Sequence, residues 1–372
     1  MTDVIKAISD ASNQANSLLD DVKRSAETAL GIQDPLKILP YRGYGTSEWL
    51  YVKGRVLQKE GIKTLPEDAS TLENVQNMYR RFESDEVPNA QIKVCIEDCQ
   101  ETVTADKEGF FEAWLRPSSL NSADLWPSVY FELLDPPPRT QLVVNATGQA
   151  RIVLSSAQFG VISDIDDTIV YTAATDPIEM VKIAYLGNAH SRRPFAGVDP
   201  FYSALQDGQG EDGNPIFYVS SSPWNMYDLF DKFLTINDIP NGPILLRDIE
   251  LSPANLLSFD HAGHKRAQID PILDSFPELP FILIGDSGQK DPEIYRQLVE
   301  DCPDRILAVF IRDAVPEDDK RHQEIDAIAQ SIRSAGVDFL LFSDTITAAK
   351  QAEAKGFIDK SKLSAIENDT GV

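Results

Sequence analysis

Four short stretches hold the residues with the most chemical potential. The first, Asp164-Ile165-Asp166-Asp167-Thr168, follows the apolar run Gly160-Val161-Ile162-Ser163. Two acids one residue apart at a strand end can reach the same crevice while Ile165 between them turns back into packing. An acidic turn or a helix cap would use the same residues, and with 59 Asp and Glu in the chain one such cluster decides nothing. The second stretch is Ser220-Ser221-Ser222-Pro223-Trp224, after Ile216-Phe217-Tyr218-Val219. Ser222 before Pro223 reads as a helix N-cap and first helical position. Ser220 sits where the strand stops, and its hydroxyl and the amides that follow could receive a phosphate oxygen. The third is Lys265, ahead of a helical face made by Ile269, Ile272, Leu273 and Phe276. A cation at a helix start opposes the helix dipole, so a residue there asks for another reason. The fourth, Gly285-Asp286-Ser287-Gly288-Gln289-Lys290-Asp291, joins glycines that permit a tight loop to two flanking carboxylates. Hard oxygen donors of this kind suit Mg²⁺, which needs few protein carboxylates because substrate and water complete its octahedron.

The elements around these stretches explain how they could meet. From Phe159 onward, apolar strands alternate with helical patterns, through Pro243-Ile244-Leu245-Leu246, Phe281-Ile282-Leu283-Ile284, Ile306-Leu307-Ala308-Val309-Phe310 and Val337-Asp338-Phe339-Leu340-Leu341-Phe342. That pattern predicts an α/β fold, a Rossmann-like parallel sheet flanked by helices and buried on both faces. Ligands of such sheets collect at the carboxyl ends of the strands, where three of the four stretches fall. Between Tyr41 and about Leu154 the runs are shorter and alternate: Trp49-Leu50-Tyr51-Val52, Ile92 to Ile96, Phe110 to Leu115, Val129 to Leu134 and Ala150 to Leu154. They predict a small antiparallel β domain, with a hairpin turn at Asp106-Lys107-Glu108-Gly109 and a loop at Pro136-Pro137-Pro138. No charged or histidine constellation concentrates there, which leaves binding, orientation or assembly as its role and its partner unknown. Val4, Ile5, Ile8, Ala15, Leu18, Leu19, Val22 and Leu30 recur near helical spacing and predict one N-terminal amphipathic helix ending before Pro35. Its polar face is acidic, which favours packing over membrane binding. The expected division is residues 1–36 for this helix, 37–157 for the β-rich domain, 158–358 for the catalytic domain with a cap insertion at about 170–214, and 359–372 for a C-terminal tail.

Composition bounds the partners. With 372 residues and 42% hydrophobic content the chain is long enough for two buried cores. A net charge of -25 opposes phosphate neutralisation, so nucleic acid is excluded as a partner, and broad attraction to an anionic membrane is excluded too. No stretch is long and apolar enough for a transmembrane segment, and Met1 to Gln33 lacks a signal-peptide pattern, so the expected location is cytoplasmic, peripheral at membranes at most. Cys95 and Cys99 fall in one strand-like run that holds them too far apart to bridge, and Cys302 stands alone.

The ordered set Asp164-x-Asp166-x-Thr168, Ser220, Lys265 and Gly285-Asp286 through Asp291 resembles the four signature motifs of the haloacid dehalogenase superfamily. Tyr218 to Trp224, Gly242-Pro243-Ile244-Leu245-Leu246-Arg247-Asp248 and Ile284 to Tyr295 are similar to the catalytic domain of the fungal actin-patch-protein phosphatidate phosphatases and their bacterial relatives, over about Phe159 to Ala349. Tyr41 to Thr46 and Gly54-Arg55-Val56-Leu57 resemble the β domain of the bacterial members. The resemblance implies that Asp164 attacks phosphorus to form an aspartyl-phosphate and that Asp166 protonates the leaving alkoxide and then takes a proton from water. It implies Mg²⁺ held by Asp164, the backbone carbonyl of Asp166 and Asp286. Ser220, with Ser221 beside it, and Lys265 would bind the phosphoryl oxygens, while Thr168 and Asp291 would support the loop and metal shell. Asp167 receives no role. Asp166 also separates reaction types: chloride leaves unprotonated, an alkoxide does not, so a phosphatase is expected rather than a dehalogenase.

Between the first two motifs, the insertion around Ile178-Glu179-Met180-Val181-Lys182-Ile183 is expected to cover the site mouth, as caps of the superfamily do. Its His190, Arg192 and Arg193 are candidates for a substrate headgroup or phosphate, with Arg247 a weaker one; a solvated loop would look the same. Trp224, Met226, Tyr171, Tyr185 and Phe195 could line an apolar approach or simply fill the core. The expected substrate is a phosphate monoester, phosphatidate at a membrane surface first and a soluble ester second. The other function class is a scaffold with a vestigial phosphatase domain, disfavoured by the intact Asp164, Asp166, Lys265 and Asp286.

Overall fold

The computed structural model describes residues 35–58, 85–118, 120–121, 123–136, 143–171, 193–210, 213–247 and 261–371. The expected N-terminal helix, most of the expected cap with Tyr185, His190 and Arg192, and Asp248 lie outside the described residues.

A first sheet of nine strands contains β1 (Leu36–Pro40), β2 (Gly43–Gly45), β3 (Leu50–Gln58), β4 (Asp85–Glu86), β5 (Gln91–Ile96), β6 (Cys99–Thr104), β7 (Phe110–Leu115), β8 (Ser128–Asp135) and β9 (Asn145–Ile152). Along it the strands run β1-β3-β2-β9-β8-β5-β6, with β4 and β7 also on β3. Among the described residues only β2 and β9 pair in parallel. Alternation sets its core: Ile92, Val94 and Ile96 of β5 and Val129, Phe131 and Leu133 of β8 are buried while the residues between them face outward.

Two local expectations change here. Asp106 does make the turn, its Oδ1 accepting the Glu108 and Phe110 amides at 2.9 Å each, but the strands it joins do not pair. β6 bonds to β5 and β7 to β3, so the turn is a crossing point and not a hairpin. The tight hairpin lies instead between β5 and β6, where Glu97 takes a positive φ of 45°. Cys95 and Cys99 are therefore on neighbouring strands, with Ile96 opposite Cys99, and both thiols are free. Nothing between them is Gly, Pro or Asn, which is why the run reads as one strand.

The second sheet holds β10 (Gly160–Asp164), β11 (Ile216–Pro223), β12 (Ile244–Arg247), β13 (Phe281–Asp286), β14 (Ile306–Arg312) and β15 (Asp338–Phe342), all paired in parallel in the order β12-β11-β10-β13-β14-β15. Every residue of β10 and β13 is buried, as the continuous apolar runs demand of central strands. Helices cover both faces: α1 (Val198–Asp207), α2 (Tyr227–Ile236), α3 (His261–Ser275), α4 (Asp291–Asp301), α5 (Asp319–Ser334), α6 (Thr345–Ala354) and α7 (Leu363–Thr370). One face is closed by Phe201, Leu205, Phe230, Phe233, Ile346 and Ile366, the other by Ile269, Ile272, Ile294, Leu298, Ile325 and Ile332. The chain steps outward from β10 through β11 to β12, then returns to the far side of β10 for β13. Sheets of this kind bind ligands above the carboxyl ends of their strands at such a reversal, here between β10 and β13.

Three further expectations are corrected. The later part of the insertion is α1, whose Val198, Phe201, Tyr202 and Leu205 are buried in the body, so these residues belong to the body and not to a cap. Residues 359–372, expected as a C-terminal tail, instead carry α7, which packs on α1 and α6 and buries Ile366. Lys265 lies inside α3, past its first turn, where the dipole objection loses force.

Candidate active site

Asp164 ends β10 and Asp286 ends β13, so the sheet itself brings the two carboxylates to that reversal. Asp164 is 1% exposed, and its Oδ1 accepts the Lys265 ammonium at 2.7 Å. Lys265, 2% exposed, also donates to Asp291 Oδ1. Asp291 Oδ2 accepts the backbone N–H of Asp286 at 3.1 Å, and Asp286 Oδ1 accepts the amides of Gly288 at 2.7 Å and Gln289 at 2.8 Å, which folds the loop onto its own acid. Gly285 is required by this arrangement: a Cβ there would lie 2.7 Å from Asp291 Cβ.

Oxygens of Asp164, Asp286 and Asp291 lie within 4.8 Å of one another, all buried. Two carboxylates at that separation repel by about 3 kcal/mol at an effective dielectric near 20. With all three ionised, Lys265 would supply one positive charge against three negative ones. Burial raises the Asp164 carboxyl well above the usual range; Lys265 opposes, and the Asp291, Asp286 and Asp166 charges add to the rise. Burial likewise raises Asp286, reinforced by Asp291 and opposed by Lys265. For Lys265 burial works downward, but the surrounding carboxylates prevail and raise it, so it stays an ammonium. Asp164 Oδ2 and Asp286 Oδ2 are buried without any hydrogen-bond partner among the described residues. Buried anionic oxygens left bare, with a deficit of positive charge beside them, are the donor set a divalent cation fits.

Asp166 is held differently. Its Oδ2 accepts two hydroxyls, Ser220 Oγ at 2.7 Å and Ser222 Oγ at 3.1 Å, and Ser220 Oγ in turn accepts the Ser222 N–H at 3.0 Å. Gln268 of α3 donates to the Ser220 carbonyl at 3.3 Å. Ser222 therefore is not the N-cap expected from its sequence: β11 continues through Pro223, and a 3₁₀ turn, Trp224–Met226, precedes α2. The residue explained away on structural grounds is one that touches the site. Ser221 lies half-buried between the two contacting serines.

Asp167 turns the chain after the motif. It is buried with φ at 56°, a conformation Asp tolerates better than most side chains, and its N–H donates to the Val170 carbonyl at 2.8 Å. Thr168 is buried with no partner for Oγ1 among the described residues, and its carbonyl accepts Arg312 Nε at 2.9 Å. Arg312, pulled down to about 10 by burial, lies between the rings of Phe195 and Phe342 at 4.2 and 4.9 Å and donates to Thr345 at 3.0 Å. The loop after Asp286 is clamped by Arg321, which donates to the carbonyls of Ser287 and Gln289 at 2.7 Å each and pairs with Glu293 through two nitrogens. Neither arginine lies in a sequence motif. Arg312 closes a strand at its carboxyl end, a signal that could have singled it out; Arg321, inside α5, offered none.

Of the remaining candidates, Arg247 ends β12 beside Pro223, and Arg193 is exposed; among the described residues no hydrogen bond or ion pair joins either to the cluster. Met226 and Phe195 are core or packed against it, Tyr171 is 60% exposed, and Trp224 stacks on Tyr41 of the N-terminal sheet.

Residues 159–313 match the model of the catalytic domain of phosphatidate phosphatase APP1. Phosphatidate phosphatase APP1 of Saccharomyces cerevisiae is 32% identical over 236 residues, covering 62% of this chain and 39% of that protein. An uncharacterized protein of Schizosaccharomyces pombe is 28% identical over 166 residues, covering 44% of this chain and 27% of its own length. The chain thus spans well under half the length of the curated relatives it matches. Among solved structures, a carbohydrate acetylesterase from Xanthomonas citri aligns over 88% of this chain and 71% of its own with a TM-score of 0.29 and 11% identity, too slight a likeness to bear on fold or function. Residues 159–313 are thus similar to the catalytic domain of the APP1 phosphatidate phosphatases.

Proposed function

We propose that the chain is a Mg²⁺-dependent phosphoric monoester hydrolase that releases phosphate from phosphatidate and leaves diacylglycerol, working through an aspartyl-phosphate on Asp164. The observation that carries this reading is the buried Asp164–Lys265–Asp291 arrangement with bare oxygens on Asp164 and Asp286, inside a segment matching a phosphatidate phosphatase catalytic domain. The body is read as a haloacid dehalogenase-like domain, from about residue 158 through α7, behind a separate β-rich domain. The work is assigned to the cytoplasm, peripherally at membranes; among the described residues no helix is long and apolar enough to cross one.

In the first displacement an Asp164 oxygen attacks phosphorus, the bond from phosphorus to the leaving oxygen breaks, and Asp166 gives that oxygen its proton. In the second, Asp166 takes a proton from water as the water oxygen attacks the aspartyl-phosphate, and the Asp164 carboxylate leaves. Ser220 and Ser222, donating to Asp166 Oδ2, fix its orientation for both transfers. Lys265 holds Asp164 in place and offers its ammonium to the phosphoryl oxygens. Mg²⁺, held by Asp164, Asp286 and the Asp166 backbone carbonyl, would offset the repulsion between an anionic nucleophile and an anionic phosphate.

The test is phosphate release from a panel of phospholipids in mixed micelles and of soluble phosphomonoesters, with and without Mg²⁺. Phosphatidate should be the preferred substrate and chelation should end turnover. Preference for soluble esters would keep the phosphatase and discard the lipid; undiminished turnover after exhaustive chelation would discard the metal.

A further inference from the structure

Resting on the phosphatase reading, we propose that the N-terminal sheet positions the acid–base carboxylate Asp166 through Trp224, with Tyr41 and Arg42 as positioning residues. Asp166 owes its orientation to Ser220 and Ser222, at the end of β11. That end has little ladder of its own. Pairing of β11 with β10 stops at Val219, and its register against β12 shifts between Val219 and Pro223. Ser220 to Ser222 therefore bulge out of the ladder, which resumes at Pro223 beside Arg247, just where their hydroxyls must be placed, and contacts from outside the sheet hold them.

The N-terminal sheet grips the chain immediately beyond. Tyr41, buried, stacks on Trp224 with ring centroids 4.4 Å apart and planes 26° from parallel, and it lies 4.5 Å from the Tyr227 ring. The Arg42 backbone N–H donates to the Tyr227 hydroxyl at 2.7 Å, and the Arg42 guanidinium pairs with Asp231 at 3.0 Å. Phe110 and the Lys53 ammonium stand 6.1 and 5.4 Å from the Trp224 ring. Trp224 follows Ser222 with only Pro223 between, and proline's fixed φ makes that link stiff. A shift of the indole is passed to Ser222 Oγ, and through it to Asp166. The sheet without catalytic residues thus fixes the proton donor of the sheet that has them.

The test compares Tyr41→Ala with Tyr41→Phe, which keeps the stacked ring. Misplacing an acid by a fraction of an ångström matters where the leaving group needs a proton, so Tyr41→Ala should slow an alkyl phosphate by about 10-fold or more and a nitrophenyl phosphate by less than about 3-fold. Tyr41→Phe should remain near wild type on both. Amide resonances of Ser220 and Ser222 should move in Tyr41→Ala and stay in Tyr41→Phe. If Tyr41→Ala does not fold, Tyr41→Leu keeps the volume without the ring face and serves the same comparison. Equal losses on both esters, or serine resonances that do not respond, would overturn the positioning role. A wild-type chain that hydrolyses no ester would instead overturn the phosphatase reading, and the resonances would still decide whether the sheet holds these serines.

Discussion

The two sides of the site are secured by different physics. On the nucleophile side, Asp164 and Asp286 at the ends of central strands and Lys265 and Asp291 on flanking helices are buried and joined by charge, so each one's position depends on the charge of the others. On the acid–base side, Asp166 is only partly buried and is held by two neutral hydroxyls from a strand end whose ladder is irregular. A fixed, desolvated anion suits a nucleophile that must meet phosphorus along one line. A carboxyl that has to give and regain a proton needs contact with water and an oriented, uncharged cradle.

Mutations should separate the two sides. The largest effect is expected from Asp164→Asn, which keeps the volume and removes the nucleophile; phosphate release should fall by at least about 10³-fold while circular dichroism stays that of the folded chain. Appreciable turnover in the folded variant would remove Asp164 from its role. Asp166→Asn should cost about 10²- to 10⁴-fold on alkyl phosphates and far less on nitrophenyl phosphate, whose leaving group needs little protonation. Equal losses on the two substrates would erase the distinction between the sides.

Lys265→Met tests the charge-joined side through stability. Removing the ammonium leaves two buried carboxylates without their shared cation, a change that costs about 3–5 kcal/mol in buried pairs, and the melting temperature should drop accordingly. Added Mg²⁺ should recover more of that loss than it adds to the wild type, because it binds the same uncompensated charge. A variant as stable as wild type in the absence of divalent ions would show that the three carboxyls are not competing for positive charge.

The smallest effect belongs to the periphery of the Asp286 loop. Ser287 Oγ donates to Asp313 at 3.2 Å, and His322 Nε2 meets the same carboxylate at 3.0 Å, which raises the imidazole above its usual range. A group whose folded value is raised stabilises fully below its unfolded value, near 6.5, and loses that contribution as pH climbs through the folded value. The stability difference between wild type and His322→Gln should therefore be present at about pH 5.5 and vanish by about pH 9. A difference that grows with pH would reverse the assignment; the contact is largely solvated, so a fraction of a degree in melting temperature is the scale.

The sequence was most legible where a rule of sheet architecture did the work. Parallel strands place their carboxyl ends on one edge, so polar residues after Ser163, Val219 and Ile284 had to gather once the strands were recognised, and they do. Legibility failed where a side chain's role depended on how a strand ended. Ser222-Pro223 satisfies the grammar of a helix start, and only the irregular register beside β12 shows that the strand runs on. It failed again for partners supplied from afar: Arg312 on the Thr168 carbonyl, Arg321 on the Asp286 loop and Tyr41 on Trp224 come from distant elements with no spacing to betray them. The turn at Asp106 was legible, but which strands it separates was not, since turn chemistry is local and strand pairing is not.

The central claim is that Asp164 itself carries the phosphoryl group, and one measurement meets it directly. The enzyme would be mixed with phosphatidate and Mg²⁺, quenched in acid within a turnover, and treated with borohydride, which reduces an acyl phosphate but leaves a free carboxylate alone. Peptide mass spectrometry should then find the reduced, alcohol-bearing side chain at position 164 and at no other acid, and find none after incubation without substrate. Phosphate release at full rate with Asp164 never modified, or modification at Asp286 or Asp291 instead, would contradict it.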